Sequence, residues 1–374
     1  MSLTKEHKEF ARKVAKRMGG KASASTVRFL FKRHLDVDLT NAEVKALLED
    51  SREPAKQASV AKIAAPRLTV KSNTNLREKC RLLINDAKAE IEKEGVHSVK
   101  PGLSSDGITP LLLLSDLHFG EKIEINGVEV FNLDIARDAF NSIIEQAIKT
   151  KALDGYDVDE FVVLLGGDII DGEMIYPAHA FETEGDVFTQ MQAATKIIWS
   201  GLQRLAQVFP VVRVYCVAGN HGRTSKLHSQ MSNWDNALYF TLQMMSSIEK
   251  NPRLEIHTPH QMWMDFKVRG WNVHTRHIGV VQAATASPAK KVMMWMKNHN
   301  DADLFFFGHY HNPEMYSHGY KRIFKNGALP PANDFAERIG FESSQGQWLV
   351  GITDDELVAF SKVIIPDTLG GLNV

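Results

Sequence analysis

The stretch FVVLLGGDIIDG, at residues 161–172, predicts the fold more clearly than any other part of the chain. An apolar run long enough for one buried strand leads directly into two glycines and two aspartates. Continuous apolar runs are typical of strands covered on both faces, whereas alternating runs are typical of half-exposed strands. The glycines allow the backbone to turn sharply and to approach a ligand closely. The stretch therefore predicts a buried strand that places carboxylates at the end of a sheet.

Three other parts of the chain repeat this pattern of an apolar strand followed by polar residues. They are LLLLSDLH at 111–118, VVRVYCVAGNHG at 211–222 and LFFFGHYH at 304–311. Helical patterns at 132–150 and 188–206 lie between them, which favours an α/β fold with helices packed against the sheet. Ligands of such sheets bind outside the carboxyl ends of the strands. The four polar segments are therefore expected to meet at one site.

The residues at these strand ends are of the kinds that bind metal ions. Asp116 and His118 are separated by one residue, as are His309 and His311, and this spacing turns both side chains to the same side of an extended segment. Carboxylate, imidazole and amide ligands suit Mn, Fe, Zn or Mg better than a metal that prefers thiolates. Any one pair is common at the end of a strand, but four such segments in this order are hard to obtain by chance. We therefore expect a metal centre.

Composition restricts the class of protein. The chain has 374 residues, of which 44% are hydrophobic and 24% charged, and these values are typical of a soluble globular protein of two to three domains. No apolar run approaches the ~18 residues of a membrane span, and the first residues lack an apolar signal region, so we expect a cytoplasmic protein that does not associate with membranes. Cys80 and Cys216 lie far apart, which argues against a disulfide framework or a cysteine-based zinc site.

Charge is divided unevenly along the chain. Residues 1–100 contain 22 Lys and Arg against 13 Asp and Glu, whereas the remainder contains 22 against 32. We interpret residues 1–52 as a basic, all-α, helix-turn-helix-like module whose third helix opens with the capping box TNAE at 40–43. Such a module suits DNA binding; the alternative is an oligomerisation or docking module with a solvated basic face. Residues 53–109 are predicted to be a linker with one amphipathic helix, and residues 110–374 the catalytic domain.

The series D-x-H, G-D-x-x-D, G-N-H and G-H-x-H resembles the calcineurin-like metallophosphoesterase superfamily over residues 111–311. The segment SDLHFGE is most similar to the nuclease-like branch, which includes double-strand-break repair nucleases and archaeal polymerase small subunits; phage-encoded phosphoesterases are also similar in motif style. The resemblance implies a β-sandwich flanked by helices and a phosphoesterase that uses two divalent ions. Mn²⁺ is the first expectation, with Fe, Zn or Mg as alternatives.

The resemblance also implies a set of metal ligands. It implies two ions, each with three ligands of its own, and Asp168 bridging the two. The implied ligands are Asp116, His118 and His311 for the first ion, and Asn220, His277 and His309 for the second. His277 is preferred because the family histidine usually closes its strand beside a glycine, and His274 stays open as the alternative.

Three further residues receive catalytic roles from the resemblance. It implies that His221 acts as the general acid, that Asp171 orients a ligand, and that Arg223 steadies a phosphate oxygen. The chain departs from the family pattern at one point, because Gly222 follows the G-N-H segment where an acidic residue is usual. We therefore expect His221 to lack its usual carboxylate partner.

The predicted metal centre specifies a class of reaction and leaves the substrate open. The leading hypothesis is a DNA nuclease, exo or endo, whose basic N-terminal module contacts DNA phosphates. The same centre could hydrolyse cyclic nucleotides or other small phosphodiesters, or act as a phosphomonoesterase such as a protein phosphatase. A non-enzymatic polymerase-accessory scaffold is disfavoured, because such subunits tend to lose ligands and this chain keeps them all. The sequence leaves the oligomeric state open.

Overall fold

The computed structural model describes parts of the chain with gaps between them. The described residues are 31–32, 40, 43–44, 107–125, 127–153, 155–173, 175, 183–225, 231–259, 261–277, 288–332 and 343–367, without the side chains of 288–292. The chain divides into two compact units, one of Met1–Glu78 with Tyr176–Glu182 and one of Lys79–Ile175 with Thr183–Val374. The sheets and the candidate site lie in the second unit. The three domain boundaries stay predictions.

The predicted capping box near the N-terminus is present. The backbone N–H of Thr40 donates to Oε2 of Glu43 over 2.9 Å, and the N–H of Glu43 donates to Oγ1 of Thr40 over 3.3 Å. These two bonds satisfy N–H groups that the first turn of a helix leaves free. Phe31 and Val44 are buried, as expected of apolar residues in the core of a helical module. The rest of the three predicted helices and the linker up to residue 106 lie outside the described residues.

Strands and helices alternate through the described part of the second unit. The strands are β1 (Thr109–Leu114), β2 (Ile123–Ile125), β3 (Val128–Phe131), β4 (Glu160–Leu165), β5 (Val211–Cys216), β6 (Leu254–His257), β7 (Trp263–Val268), β8 (Trp271–His277), β9 (Leu304–Gly308), β10 (Glu314–His318), β11 (Lys321–Lys325), β12 (Gln347–Ile352) and β13 (Phe360–Ile364). The α-helices are α1 (Leu133–Ile148), α2 (Val187–Val208), α3 (Trp234–Glu249) and α4 (Pro288–Asn298), and a 3₁₀ turn at Lys149–Ala152 follows α1. No helix in the described residues is long and apolar enough to cross a membrane.

Two main sheets form the framework. The first has the order β13-β12-β1-β4-β5-β6, and its strands β1, β4, β5 and β6 are parallel. The second has the order β10-β11-β9-β8-β7, and its strands β8, β9 and β11 are parallel. The four strands and two helices predicted from the sequence are β1, β4, β5, β9, α1 and α2, so the predicted α/β class is confirmed. Parallel strands bring their carboxyl ends to one edge of a sheet, and this edge is where the candidate site lies.

Strand β1 shows how the layers are built. Leu112 and Leu114 pack in the core that contains the helices α1, α2 and α3, whereas Leu111 and Leu113 pack in the core that contains residues of the second sheet. All four side chains are buried, and burying each contributes roughly 1.5–3 kcal/mol. A third core on the outer face of the second sheet includes Met296 of α4. The two sheets therefore lie between α1, α2 and α3 on one side and α4 on the other.

Helices α1 and α3 begin with the same pattern, Asn-x-Asp. Asn132 caps α1 and Asn233 caps α3, each through its side-chain oxygen. A carboxylate in the first turn stabilises both helices because it faces the positive end of the helix dipole. Asp134 of α1 is exposed, however, whereas Asp235 of α3 is fully buried. The burial of Asp235 points to a contact that the helix alone does not require.

Candidate metal centre

The carboxyl ends of five strands, β1, β4, β5, β8 and β9, meet at one site. The backbone N–H of His309, after β9, donates to both carboxylate oxygens of Asp116, after β1, over 2.9 and 3.1 Å. Nδ1 of His277, at the end of β8, donates to the carbonyl of Gly166, after β4, over 2.9 Å. These bonds join the edges of the two sheets and hold the predicted ligands near one another.

The first cluster consists of Asp116, His118 and His311, which offer ligand atoms within 4.8 Å of one another. Nε2 of His311 lies 3.3 Å from Oδ1 of Asp116 and 3.2 Å from Nε2 of His118. The other ring nitrogen of His118 faces Oδ1 of Asp171 over 3.1 Å, which leaves Nε2 directed at the cluster. An imidazole whose second nitrogen is held by a carboxylate has the arrangement typical of a metal ligand.

The second cluster consists of Asp168, His277 and His309. Nε2 of His277 lies 3.0 Å from Oδ2 of Asp168, yet neither atom has a hydrogen-bond partner among the described residues. The bond from Nδ1 to Gly166 leaves a lone pair on Nε2 of the neutral ring. A buried imidazole nitrogen and a buried carboxylate oxygen this close together either pair as an imidazolium and a carboxylate or serve as two ligands of one cation.

The loop after β5 brings Asn220 and His221 to Asp168. The backbone N–H of His221 donates to Oδ1 of Asp168 over 2.7 Å. A Cβ at Gly219 would lie 2.0 Å from the same oxygen, so only glycine allows the loop to pass this closely. Asn220, which lies between Gly219 and His221 in the sequence, is buried. Its backbone carbonyl accepts a hydrogen bond of 2.8 Å from Nε of Arg223. The guanidinium of Arg223 thus braces the loop, and its predicted contact with phosphate stays a prediction.

The expectation that His221 lacks a carboxylate partner is wrong. Oδ1 of Asp171 lies 3.0 Å from Nδ1 of His221 and 3.1 Å from Nδ1 of His118. One oxygen therefore orients both the predicted general acid and a predicted ligand. The partner comes from the end of β4, whereas the expectation considered only Gly222, the next residue in the sequence.

His274 lies on the opposite face of β8 from His277, because side chains three residues apart on a strand point to opposite faces. Its Nδ1 is 2.6 Å from Oδ1 of Asp265, and its ring centroid is 3.9 Å from that of His299. We call Asp265, His274 and His299 the outer cluster. The geometry thus favours His277 over His274 as the ligand, and the assignment of a metal to His277 stays a prediction.

Charge balance in the site requires a positive charge among its carboxylates. Burial raises the pKa of Asp168, but His277 and His221 outweigh burial and hold this pKa well below its usual range. Burial lowers the pKa of His277, but the carboxylates of Asp168 and Asp116 outweigh burial and raise it to about 9. Burial, followed by the charge of His277, lowers the pKa of His309 to about 3. Either protons on histidines or bound cations must therefore balance these carboxylates.

The backbone is strained at most of the predicted ligands. Five of them have a positive φ: Asp116 (54°), His118 (46°), Asp168 (50°), His309 (92°) and His311 (50°). Among the other described residues that are not glycine, only Lys250 and Arg269 share this conformation. A non-glycine residue in the left-handed region costs about 1–3 kcal/mol, and such strain concentrates at functional sites.

Asp235 is a residue of the site that the sequence did not reveal. Its carboxylate accepts hydrogen bonds from the backbone N–H groups of Asp168 (3.0 Å), Ile169 (3.3 Å) and Gly219 (2.9 Å). Burial, followed by the charge of Asp168, raises the pKa of Asp235 to about 6. The available signal was an aspartate in the first turn of a helix soon after the G-N-H segment, but stabilisation of the helix already accounts for an aspartate there.

The family model of the calcineurin-like phosphoesterases matches residues 109–313, which is more than half of the chain. The chain therefore belongs to this family and is a hydrolase that acts on ester bonds. The family uses divalent metals, and the clusters described above supply candidate ligands. A comparison with curated proteins found no match.

Several solved structures resemble the chain at low identity. A predicted phosphoesterase from Streptococcus pneumoniae is 13% identical with a TM-score of 0.30, over 71% of this chain and 99% of the other. Vps29 of Entamoeba histolytica in complex with zinc is 11% identical with a TM-score of 0.32, over 69% and 99%. An archaeal phosphodiesterase is 9% identical with a TM-score of 0.32, over 68% and 99%. We draw no conclusion about substrate from these likenesses.

Proposed function

We propose that the chain is a dinuclear, Mn²⁺-dependent phosphodiesterase that cleaves DNA. The observation that carries the proposal of a metal centre is the contact between Oδ2 of Asp168 and Nε2 of His277, two buried ligand-type atoms 3.0 Å apart. The site also gathers carboxylates that need positive charge beside imidazoles whose second nitrogens are held by a carboxylate or a carbonyl. This donor set fits divalent cations of the Mn, Fe or Zn type.

The ligand-bearing residues divide into two sets that share one carboxylate. Asp116, His118 and His311 would hold one ion, and Asn220, His277 and His309 the other, with Asp168 between them. When bound, two such ions polarise a phosphate and lower the pKa of water enough for attack near neutral pH.

His221 is suited to protonate the leaving group. Its side chain is 20% exposed, whereas the side chain of His277 is fully buried, so His221 is the one open to a substrate. The carboxylate of Asp171 accepts a hydrogen bond from the N–H of Nδ1 and so fixes the ring and its tautomer. Nε2 of the imidazolium then donates its proton to the leaving oxygen as the phosphorus–oxygen bond breaks.

The charge of the N-terminal residues supports DNA as the substrate. Residues 1–100 carry nine more basic than acidic side chains, while the remainder carries ten more acidic ones. A basic module that precedes an acidic hydrolase would hold the polyanion near a site that otherwise repels it. Binding through phosphates should weaken steeply with salt.

A substrate panel tests the proposed reaction. The full chain with Mn²⁺ is incubated with labelled DNA, RNA, cyclic nucleotides, bis-p-nitrophenyl phosphate and p-nitrophenyl phosphate. We expect cleavage of DNA and of the small diester. Activity confined to small diesters and cyclic nucleotides would replace the nuclease with a small-molecule phosphodiesterase, and activity confined to the monoester would replace it with a phosphatase.

Charge-removing variants test the role of the N-terminal module. In the full chain, K13A/K16A/R17A should weaken DNA binding and lower the slope of log K against log salt by ~0.9 per lost phosphate contact. The control K149A/K297A/K362A removes three exposed lysines of the second unit. Both variants should hydrolyse bis-p-nitrophenyl phosphate normally. Equal DNA affinity of the two variants would contradict the role of the module.

A further inference from the structure

The first turn of α3 contacts two ligand-bearing loops at once. The carboxylate of Asp235 accepts hydrogen bonds from the N–H groups of Asp168 and Ile169 in the loop after β4. It also accepts one from the N–H of Gly219 in the loop after β5. Asp168 is the predicted bridging ligand, and Gly219 directly precedes the predicted ligand Asn220. A single buried carboxylate therefore fixes the backbone beside ligands from two strands.

Neighbouring residues of α3 reinforce the contact with the loop after β5. Nδ2 of Asn233 donates to the carbonyl of Gly219 over 2.7 Å, and the N–H of Trp234 donates to the carbonyl of Gly222 over 2.7 Å. Oδ1 of Asn233 in turn accepts the N–H of Asp235 over 2.9 Å. The start of the helix is thus tied to this loop from several sides.

This packing also explains why position 222 is a glycine. A Cβ at this position would lie 2.3 Å from Oδ1 of Asn233 and 3.2 Å from Cγ of Asp235. The space that a side chain at position 222 would need is filled by the first turn of α3. The departure from the usual acidic residue after the G-N-H segment therefore accompanies a carboxylate that reaches the same place from the following helix.

We propose that Asp235 is a positioning residue that sets the metal affinity of the site. It does so by fixing the positions of the loops that carry Asp168 and Asn220 relative to each other. This inference rests on the proposed metal centre. Asp235 makes its contacts through backbone N–H groups, so it acts on the ligands without binding a metal itself. Groups that orient ligands in this way typically change metal affinity or activity by ~10–100-fold when they are replaced.

Stabilisation of the helix is the simpler explanation for Asp235, and the chain contains its control. Asp134 occupies the same position of α1, after the same asparagine cap, and faces the same end of the helix dipole. Its carboxylate is exposed and pairs with Arg137 over 2.6 Å. Asp134→Asn and Asp235→Asn therefore make the same chemical change at matched helix positions, and only the second removes bonds to the site.

The experiment measures Mn²⁺ affinity of the metal-free full chain by titration calorimetry, with kcat at limiting and saturating Mn²⁺ as a second readout. Asp235→Asn should weaken Mn²⁺ binding by ~10–100-fold, and saturating Mn²⁺ should restore part of kcat. Asp134→Asn should change neither. Unchanged affinity in Asp235→Asn, or an equal loss in Asp134→Asn, would overturn the inference. Absence of Mn²⁺ binding in the wild-type chain would instead overturn the proposed function.

A second variant, Gly222→Ala, tests the contact between α3 and the loop after β5 if Asp235→Asn does not fold. Gly222→Ala leaves the carboxylate of Asp235 in place but adds a methyl group 2.3 Å from Oδ1 of Asn233, so the side chain that ties the start of α3 to the loop must move. We expect weaker Mn²⁺ binding, and in Gly222→Ala/Asn233→Ala a smaller loss than the two single changes predict together. Wild-type Mn²⁺ affinity in Gly222→Ala would overturn the inference.

Discussion

The two faces of β8 carry histidines in clusters that look alike in composition and differ in their surroundings. On the inner face, His277 directs Nε2 at two buried carboxylates, and its Nδ1 is held by the carbonyl of Gly166. On the outer face, His274 directs Nδ1 at the half-exposed carboxylate of Asp265, and its buried Nε2 has no hydrogen-bond partner among the described residues. Ligand-type atoms within reach of one another do not by themselves make a metal centre.

The charges of the two clusters explain the difference. The pKa of His277 is raised to about 9, because two buried carboxylates outweigh the effect of burial. Burial lowers the pKa of His274, and the single carboxylate of Asp265 does not reverse this. Water can solvate the exposed side of Asp265, whereas the inner carboxylates have only the site itself. The second cluster (Asp168, His277 and His309) therefore gains more from a bound cation than the outer cluster does.

The sharpest test replaces each histidine in turn. His277→Ala should lose Mn²⁺ from the second set of ligands and lower hydrolysis of bis-p-nitrophenyl phosphate by more than the ~100-fold that is typical of orienting groups. His274→Ala should keep Mn²⁺ content and rate but lose about 2–4 kcal/mol of unfolding free energy to the cavity it leaves. Elemental analysis, initial rates and urea unfolding measure the three quantities. Loss of metal in His274→Ala would reverse the assignment.

A second test separates metal binding from proton transfer at the candidate metal centre. His221→Ala should keep the Mn²⁺ content of the wild type and slow turnover by ~10²–10⁴-fold, because the general acid is lost. Esters with a better leaving group should lose less, since they need less help from an acid. His257→Ala, at an exposed histidine of β6, is the control. A drop in Mn²⁺ content would mean that His221 is a ligand.

The smallest effect is thermal. Mn²⁺ at 100 times its Kd should stabilise the folded chain by ~2.7 kcal/mol. A domain of this size gains ~2–4 °C in Tm per kcal/mol. Calorimetry should show this rise in the wild type and in His274→Ala, and a smaller one in His277→Ala. A full rise in His277→Ala would show that the stabilising ions bind elsewhere.

The strands and their polar ends were predictable because both depend on local sequence. The apolar run at 111–114 specifies a buried strand, and the residues that follow it must lie at the sheet edge. The capping box at 40–43 was predictable for the same reason. The choice between His277 and His274 needed the family resemblance and stays a prediction, although the structure places the two histidines on opposite faces of β8.

Contacts between residues far apart in the sequence were not predictable. Asp171 contacts the ring of His221, 50 positions further along the chain. Asp235 accepts a hydrogen bond from the backbone of Asp168, which lies 67 positions before it. Both pairs depend on how strands and helices pack, and no spacing rule along the chain encodes that packing. The positive φ values of the ligands were also hidden, because aspartate and histidine, although enriched in that conformation, adopt it in only a small share of their occurrences and so do not mark it in a sequence.

The left-handed backbone at five predicted ligands has a consequence for protein engineering. Glycine at Asp116, His118, Asp168, His309 or His311 would relieve strain, and a library screened only for heat resistance would tend to collect such replacements. Each of them would delete the side chain of a predicted metal ligand. Selection for thermal tolerance in this protein should therefore be coupled to a catalytic readout, because relief of backbone strain and loss of the predicted metal ligands fall on the same residues.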